Sequence, residues 1–130
     1  MERLSLKFDD AKNALNTLQA ILEEPFSTIV RDAAIQRFEY TFEAFWKFIK
    51  EHLKENEGII ANSPKACFRE LFSLGLCSEE ESVNLQEMTD KRNDTSHTYK
   101  EEVAQGIYDK LETYAGLMGK ILGQFSKPRN

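Results

Sequence analysis

The residues best suited to chemistry lie in one stretch, 90–99, which reads Asp-Lys-Arg-Asn-Asp-Thr-Ser-His-Thr-Tyr. The stretch holds one of the two histidines in the chain and contains no aliphatic hydrocarbon side chain. An arginine such as Arg92 binds a phosphate through two parallel hydrogen bonds. A histidine such as His97 transfers protons near neutral pH. The pair therefore suits the binding or cleavage of a phosphodiester, and neither residue needs a metal for this.

The spacing of Arg92 and His97 limits how they can act together. On one unbroken helix, at ~100° per residue, they would lie about 140° apart around the axis. Residues 93–96 are of types that favour turns and caps, so the sequence predicts a break that lets both side chains face one cleft. Arginine and histidine at a helix–loop–helix junction are also common as caps and surface charges, and the spacing alone leaves both interpretations open. Tyr99 is predicted in the first turn of the following helix, whose free amides can bind anions.

The composition predicts one domain, residues 1–130, of a globular helical protein. The formal net charge of −5 disfavours extended contact with DNA or RNA, because binders of backbone phosphates are normally basic. A small local site on a nucleic acid, or a basic protein partner, stays compatible with this charge. The histidines and cysteines show no metal-ligand spacing, so no metal or other cofactor is predicted.

Cys67 and Cys77 are the only cysteines. No signal peptide is visible after Met1, so they are predicted to be free thiols in a reducing cytoplasm, although a bridge between them stays conceivable. No apolar run approaches the ~18 residues of a membrane span.

Apolar residues recur at helical spacing along the whole chain, and no segment predicts a strand. The first helix carries a stripe from Leu4 to Leu22 and ends before Pro25. The second is predicted from about Ile29 to Asn56, with Ser27 or Thr28 as its cap and Gly58 as its stop. Residues 127–130 are predicted to form a short polar tail.

Three further helices have local start or stop signals. Ser63 and Pro64 begin a short third helix, which Gly75 ends. A capping box of Ser78 and Glu81 begins the fourth, and Thr98 with Glu101 predicts a second capping box at the start of the fifth. The expected fold is an all-α antiparallel bundle of four main helices plus one short helix.

The second helix is apolar over more than one stripe. Such a helix is either central in a bundle or faces a second subunit, and the sequence does not choose between these. Tyr108 and Tyr114 are predicted to pack along the core side of helix five, and His52 is predicted to be solvated. The apolar residues of the second helix are Ala34, Ile35, Phe38, Phe42, Phe45, Trp46, Phe48, Ile49 and Leu53.

Two segments carry a family resemblance. Residues 92–99 resemble the motif of HEPN domains, in which a polar residue follows an arginine and a histidine stands a few positions further on. The tyrosine two residues after His97 is similar to that of the subgroup encoded beside minimal nucleotidyltransferases. Residues 35–47 resemble the pattern of the nucleotidyltransferase substrate-binding protein family within this superfamily. The order of helices also agrees, so the resemblance extends over nearly the whole chain.

This resemblance implies a helical bundle that forms a homodimer, with the Arg/His motifs of two subunits meeting in a cleft. It implies the toxin of a toxin–antitoxin pair that cuts RNA without a metal. The antitoxin would be a minimal nucleotidyltransferase that transfers AMP from ATP to the tyrosine hydroxyl. An alternative that the family also offers is a non-catalytic substrate-binding subunit of a two-chain nucleotidyltransferase.

The resemblance also implies roles for single residues. Arg92 would hold the scissile phosphate, His97 would move a proton, and Asn93 would orient the backbone or the phosphate. Tyr99 would accept AMP, and the bulky anionic adduct would block the cleft and repel RNA. Four polar residues of helix two match the family pattern and would support the site or contact a partner: Gln36, Arg37, Glu39 and Glu43.

Overall fold

The computed structural model describes residues 2–125, which fold into five α-helices joined by short connections. A π-helical turn, Leu53–Glu57, follows the second helix, and a 3₁₀ turn, Asp94–His97, follows the fourth. The predicted all-α bundle with one short helix is confirmed, and none of the described helices is long and apolar enough to cross a membrane. The tail predicted at 127–130 lies outside the described residues. The helices are α1 (Glu2–Leu22), α2 (Thr28–His52), α3 (Pro64–Ser73), α4 (Glu79–Asn93) and α5 (Glu101–Gly123).

Helix α2 lies at the centre of the bundle. Its side chains Phe38, Phe42, Phe45 and Phe48 are all fully buried or nearly so. The ring of Phe38 stacks on Tyr114 of α5 at 6.0 Å between centroids, and other α2 rings contact α1 and α3. The apolar surface of α2 is therefore covered within one chain, which makes it a central helix and removes this surface as an argument for a dimer.

Local capping signals placed most helix ends correctly. The hydroxyl oxygens of Ser27, Ser63 and Ser78 each accept a hydrogen bond, of 3.0 to 3.2 Å, from the main-chain N–H three residues on. Gly58 and Gly75 take the left-handed conformation with φ of 68° and 74°, where a side chain is disfavoured. These predictions depend only on neighbours in sequence and are confirmed.

The second capping box was predicted wrongly. Helix α5 begins at Glu101, and its N-cap, Lys100, makes no side-chain capping bond. The Glu101 carboxylate accepts hydrogen bonds from Arg31 of α2 instead of a local N–H. The hydroxyl of Thr98 donates to the Thr95 carbonyl oxygen at 3.4 Å. A charged partner from a distant part of the chain therefore replaces the local cap, since charge-assisted hydrogen bonds are stronger.

His52 is packed and only partly exposed, which corrects the prediction of a solvated side chain. Its ring lies 4.5 Å from the Phe125 ring and 6.3 Å from the Phe48 ring, measured between centroids. Burial lowers the pKa of His52, because the charged imidazolium loses solvation.

Both cysteines are free, as predicted, and the structure also buries them. Burial raises the pKa of the Cys67 thiol to about 11, and it raises the pKa of Cys77 as well. A buried thiol that stays protonated at neutral pH is a poor nucleophile, so neither cysteine is suited to catalysis.

We expect Phe38→Ala to lower the free energy of unfolding by ~3–5 kcal/mol, because it opens a cavity beside Tyr114 in the centre of the bundle. Urea unfolding followed by far-ultraviolet circular dichroism measures this. The matched control is Phe72→Ala, which removes the same atoms where the side chain is 46% exposed. A loss at Phe72 equal to that at Phe38 would contradict the central position of α2.

Candidate functional site

The candidate site lies where the end of α4 packs against α2. Arg92, in the last turn of α4, is partly buried between two carboxylates of α2. Its Nη1 lies 3.8 Å from Glu39 Oε2, and its Nε lies 3.4 Å from Glu43 Oε2. The buried Nε makes no hydrogen bond of good geometry among the described residues, so its contact with Glu43 is electrostatic. Arg92 is thus held in place by charge, with one N–H direction unsatisfied.

Thr95 completes this arrangement and is a residue that the sequence analysis missed. It is the buried member of the 90–99 stretch, and its hydroxyl oxygen accepts a hydrogen bond of 3.0 Å from Arg92 Nη1. The same oxygen lies 2.9 Å from Glu39 Oε2 and 2.8 Å from the Arg92 carbonyl oxygen, either of which can receive its proton. The available signal was its position three residues after Arg92, which suits a contact within one helical turn.

The α-helix ends within the predicted break, at Asn93, but the two side chains do not turn toward one cleft within the described chain. The chain leaves α4 directly into the 3₁₀ turn, which ends at His97. Such turns commonly extend the end of an α-helix. Asn93 and His97 are exposed, whereas Arg92 faces α2. Within residues 2–125 no hydrogen bond or ion pair joins Arg92 to His97, so one chain alone does not couple them.

Tyr99 is the most exposed aromatic side chain described, with 77% of its surface accessible. Its ring centroid lies 6.1 Å from that of His97, and Lys100 Nζ lies 5.9 Å from the ring. Tyr99 precedes α5 by two residues, so it does not lie in the first turn of that helix as predicted. Together with Thr98, Gln36 and Glu39 it lines a depression of about 390 Å³.

An ion pair between a buried arginine of α2 and an exposed glutamate fixes the turn that carries Tyr99. Arg31 near the start of α2 is only 4% exposed and donates from Nη1 and Nη2 to the two carboxylate oxygens of Glu101. The hydrogen bond with Glu101 raises the pKa of Arg31, and the guanidinium in turn lowers the pKa of Glu101. The first residue of α5 is thereby tied to α2, and Tyr99 stands two residues before it.

Three of the four polar residues predicted from α2 lie at the candidate site, and the fourth, Arg37, lies elsewhere. Glu39 and Glu43 contact Arg92, and Gln36 lines the depression beside Tyr99. Arg37 is directed to α1, where its Nη1 donates to the Thr17 carbonyl oxygen at 2.8 Å. Arg37 therefore joins two helices and is not part of the Arg92 cluster.

The charges of the cluster determine what it can do. One guanidinium stands between two carboxylates, so a phosphate that binds Arg92 must compete with Glu39 and Glu43 or displace one of them. His97 is free to meet a ligand from solvent because it is exposed. Among residues 2–125 no group of three or more His, Cys, Asp or Glu side chains is placed to hold a metal ion.

Comparison of the sequence with known protein families identifies the family of this chain. Residues 6–127 match the family described as "Nucleotidyltransferase substrate binding protein like". The match includes almost the whole chain, and the chain belongs to this family. The resemblance found in the two sequence segments is thereby confirmed at the level of the family.

Two relatives share appreciable sequence identity. The chain is 32% identical over 95 residues to the protein named "Probable ribonuclease HepT" from Haemophilus influenzae. The aligned segment covers 67% of this chain and 64% of that protein, which is less than two thirds of its length. A crystal structure from Thermus thermophilus is 46% identical, with a TM-score of 0.84, and the alignment covers 88% of this chain and 97% of that one.

Two more distant structures share the fold. A chain of a mutant MntA–HepT toxin–antitoxin complex has a TM-score of 0.77 at 13% identity, over 95% of this chain and 96% of that one. A Haemophilus influenzae structure, titled as revealing the fold of a substrate-binding domain of a nucleotidyltransferase, has a TM-score of 0.64 at 24% identity. Its alignment covers 97% of this chain and 98% of that one.

We expect Thr95→Val to lower the free energy of unfolding by ~1–3 kcal/mol, because the hydroxyl is lost while the shape is kept. The substitution removes the hydroxyl to which Arg92 Nη1 donates and leaves that group only its longer contact with Glu39. Chemical denaturation measures this, and Ser96→Ala, at an exposed neighbouring position, is the control. Equal stabilities of the Thr95 variant and the wild type would show that the hydroxyl does not hold Arg92.

Proposed function

We propose that this protein is the HEPN toxin of a toxin–antitoxin pair, an endoribonuclease that uses Arg92 and His97 and requires no metal. The proposal is supported by its family and by its identity to the relative named as a probable ribonuclease. The observation that carries it is the arrangement of the 92–99 segment, in which an anchored arginine is followed by an exposed histidine and an exposed tyrosine.

In the proposed reaction the ribose 2′-oxygen attacks the adjacent phosphorus, and the bond from phosphorus to the 5′-oxygen breaks. The products are a 2′,3′-cyclic phosphate and a 5′-hydroxyl. The proton lost by the 2′-hydroxyl and the proton gained by the 5′-oxygen both have to be moved, and His97 is proposed to move one of them. Arg92 is proposed to neutralise the charge that builds on the phosphate oxygens, with Asn93 orienting the phosphate.

A homodimer is part of this proposal. Within one chain Arg92 faces α2 while His97 faces solvent. A second copy placed against the exposed 93–99 segment would bring a second Arg92–His97 set to the same cleft. The RNA phosphate would then meet more than one cation, which offsets the two carboxylates beside each Arg92.

Silencing is proposed to occur at Tyr99 through a partner minimal nucleotidyltransferase. The Tyr99 hydroxyl oxygen attacks the α-phosphorus of ATP, the bond to the β-phosphate oxygen breaks, and pyrophosphate leaves while the phenol loses its proton. High exposure supports this role, because the hydroxyl has to enter the active site of another protein. The attached AMP would lie within reach of His97 and would repel an RNA phosphate.

A second candidate function is a non-catalytic substrate-binding subunit of a nucleotidyltransferase. The pairing of Arg92 with Glu39 and Glu43 favours it. An arginine whose charge is neutralised in this way is better suited to joining α4 to α2 than to stabilising the charge of a reacting phosphate. The family description also names substrate binding. Under this alternative the purified chain binds its partner stably and cuts no RNA.

We expect His97→Ala to reduce RNA cleavage by ~100-fold or more, which is the range for loss of a general acid or base. The measurement is cleavage of labelled total RNA by purified protein in the presence of a chelator, together with growth arrest on induction. His52→Ala is a control for loss of a histidine, although it also removes packing against Phe125. Wild-type activity in the His97 variant would rule out the catalytic role.

We expect co-expression with the partner nucleotidyltransferase to attach whole AMP units to the chain, with the modified peptide containing Tyr99. Intact-mass spectrometry and peptide mapping measure this. Tyr99→Phe should abolish the mass increase, because it removes only the accepting oxygen.

The matched control is Tyr40→Phe, since Tyr40 is 43% exposed and its hydroxyl is hydrogen-bonded to Thr17. A stable complex that contains only unmodified chain would favour the substrate-binding alternative.

A further inference from the structure

A basic cleft lies beside the candidate site and has no role in the function proposed so far. Its walls are α1, the second half of α2, the π-helical turn and residues 59–61. Its volume is about 380 Å³, within the usual range for sites that hold a small organic ligand.

The charge of the cleft is opposite to that of the chain. Two cations come from α1 and three from the end of α2 and its π-helical turn, against a single lining carboxylate, that of Glu51. The chain as a whole has a formal net charge of −5. Positive charge is therefore concentrated here within an acidic protein. The five cations are Arg3, Lys7, Lys47, Lys50 and Lys54.

Most of this charge is not neutralised within the chain. Arg3 donates from Nε to Glu51 Oε1 at 3.2 Å, and its side chain is 72% exposed. Lys50 lies over the Trp46 ring, with Nζ 5.8 Å from the centroid. Among residues 2–125 Lys47 and Lys54 take part in no salt bridge, and both are exposed. These groups are available to an anion from solvent.

One carboxylate connects the cleft to Arg92. Trp46, which lines the cleft, donates from Nε1 to Glu43 Oε1 at 3.1 Å. The other oxygen of Glu43 lies 3.4 Å from Arg92 Nε. Glu43 thus contacts both Trp46 and Arg92, which places the cleft next to the candidate site.

We propose that the basic cleft is a subsite for single-stranded RNA, which holds the nucleotides flanking the phosphate bound at Arg92. The lysines bind backbone phosphates, and the partly buried indole of Trp46 forms an aromatic wall of the cleft beside which a base can lie. Lysines combined with an aromatic ring are typical of binding to single strands without sequence preference. This inference rests on the proposed function and extends it to the way in which the substrate is held.

The cleft fits RNA better than an acidic protein surface. Ammonium groups of lysine are strongly hydrated point charges that bind phosphates in many orientations. Protein interfaces are instead depleted in lysine. A concave shape lined by an aromatic ring also suits a nucleotide that is turned out of a strand.

The test is RNA binding by Lys47→Ala/Lys54→Ala, made in the His97→Ala protein so that the RNA is not cut. The probe is a short fluorescein-labelled oligouridylate, followed by anisotropy across a salt series. Two lost phosphate contacts at ~0.7 each should lower the slope of log affinity against log salt by about 1.4, and weaken binding about 25-fold at 0.1 M salt.

The control is Lys12→Ala/Arg69→Ala in the same His97→Ala protein. It removes two exposed cations that do not line the cleft, and it changes the net charge equally. Its affinity should stay within about threefold of the parent, since contact ions act locally at 0.1 M salt. Trp46 is the only tryptophan of the chain, so its fluorescence reports directly on the cleft and should be quenched by the RNA.

Each of the following results would overturn the inference: equal losses in the two double variants, no change of Trp46 fluorescence on saturation, or no RNA binding by the His97→Ala protein. Loss of binding to a co-expressed nucleotidyltransferase with RNA affinity kept would also overturn it, because the cleft would then dock protein. Cleavage by the wild type is measured separately. If the wild type cuts RNA but the cleft variants bind it normally, the cleft proposal fails and the catalytic proposal stands. If the chain binds RNA through the cleft but does not cut it, the catalytic proposal fails and the cleft proposal stands.

Discussion

Burial of the aromatic face of α2 is the interaction on which the rest of the molecule depends. Each fully buried phenylalanine contributes ~1.5–3 kcal/mol, and four of them follow one another along this helix. Since the rings pack against α1, α3 and α5, the rotation of α2 about its own axis is fixed. The polar residues of α2 consequently have fixed directions. Glu39 and Glu43 meet the end of α4, while Lys47 and Lys50 line the basic cleft.

Much of the fold could be read from the sequence because its signals are local. Serine caps, glycine stops and a capping box each involve residues within four positions of one another, and they placed the helix ends well. The prediction failed where a distant residue competes with a local one. Glu101 has the spacing of a capping residue, but Arg31 takes its carboxylate, and no local pattern contains that information.

The sequence predicted that residues of the 92–99 segment form the candidate site, but it did not predict how they are paired in space. The segment 92–99 stood out by its residue types, yet the pairing of Arg92 with Glu39 and Glu43 depends on how two helices cross. The basic cleft was missed because its cations come from two distant parts of the sequence, the start of α1 and the end of α2 with its π-helical turn. Within α2 and this turn, Lys47, Lys50 and Lys54 have the pattern of an ordinary solvated stripe. The formal net charge of −5 does not reveal that five cations are gathered around one cleft.

The π-helical turn Leu53–Glu57 makes the direction of Lys54, which lines the cleft, depend on the exact number of residues in the chain. A π turn contains about one residue more than an α turn, so it corresponds to a single inserted residue accommodated without unfolding the helix. Leu53 stays fully buried there while Lys54 faces the cleft. Deleting one residue would return the turn to α-helical form and rotate the segment after it by ~100°. Such a deletion would redirect Lys54 without substituting it, while the other four cations of the cleft, which precede the turn in sequence, would stay in place.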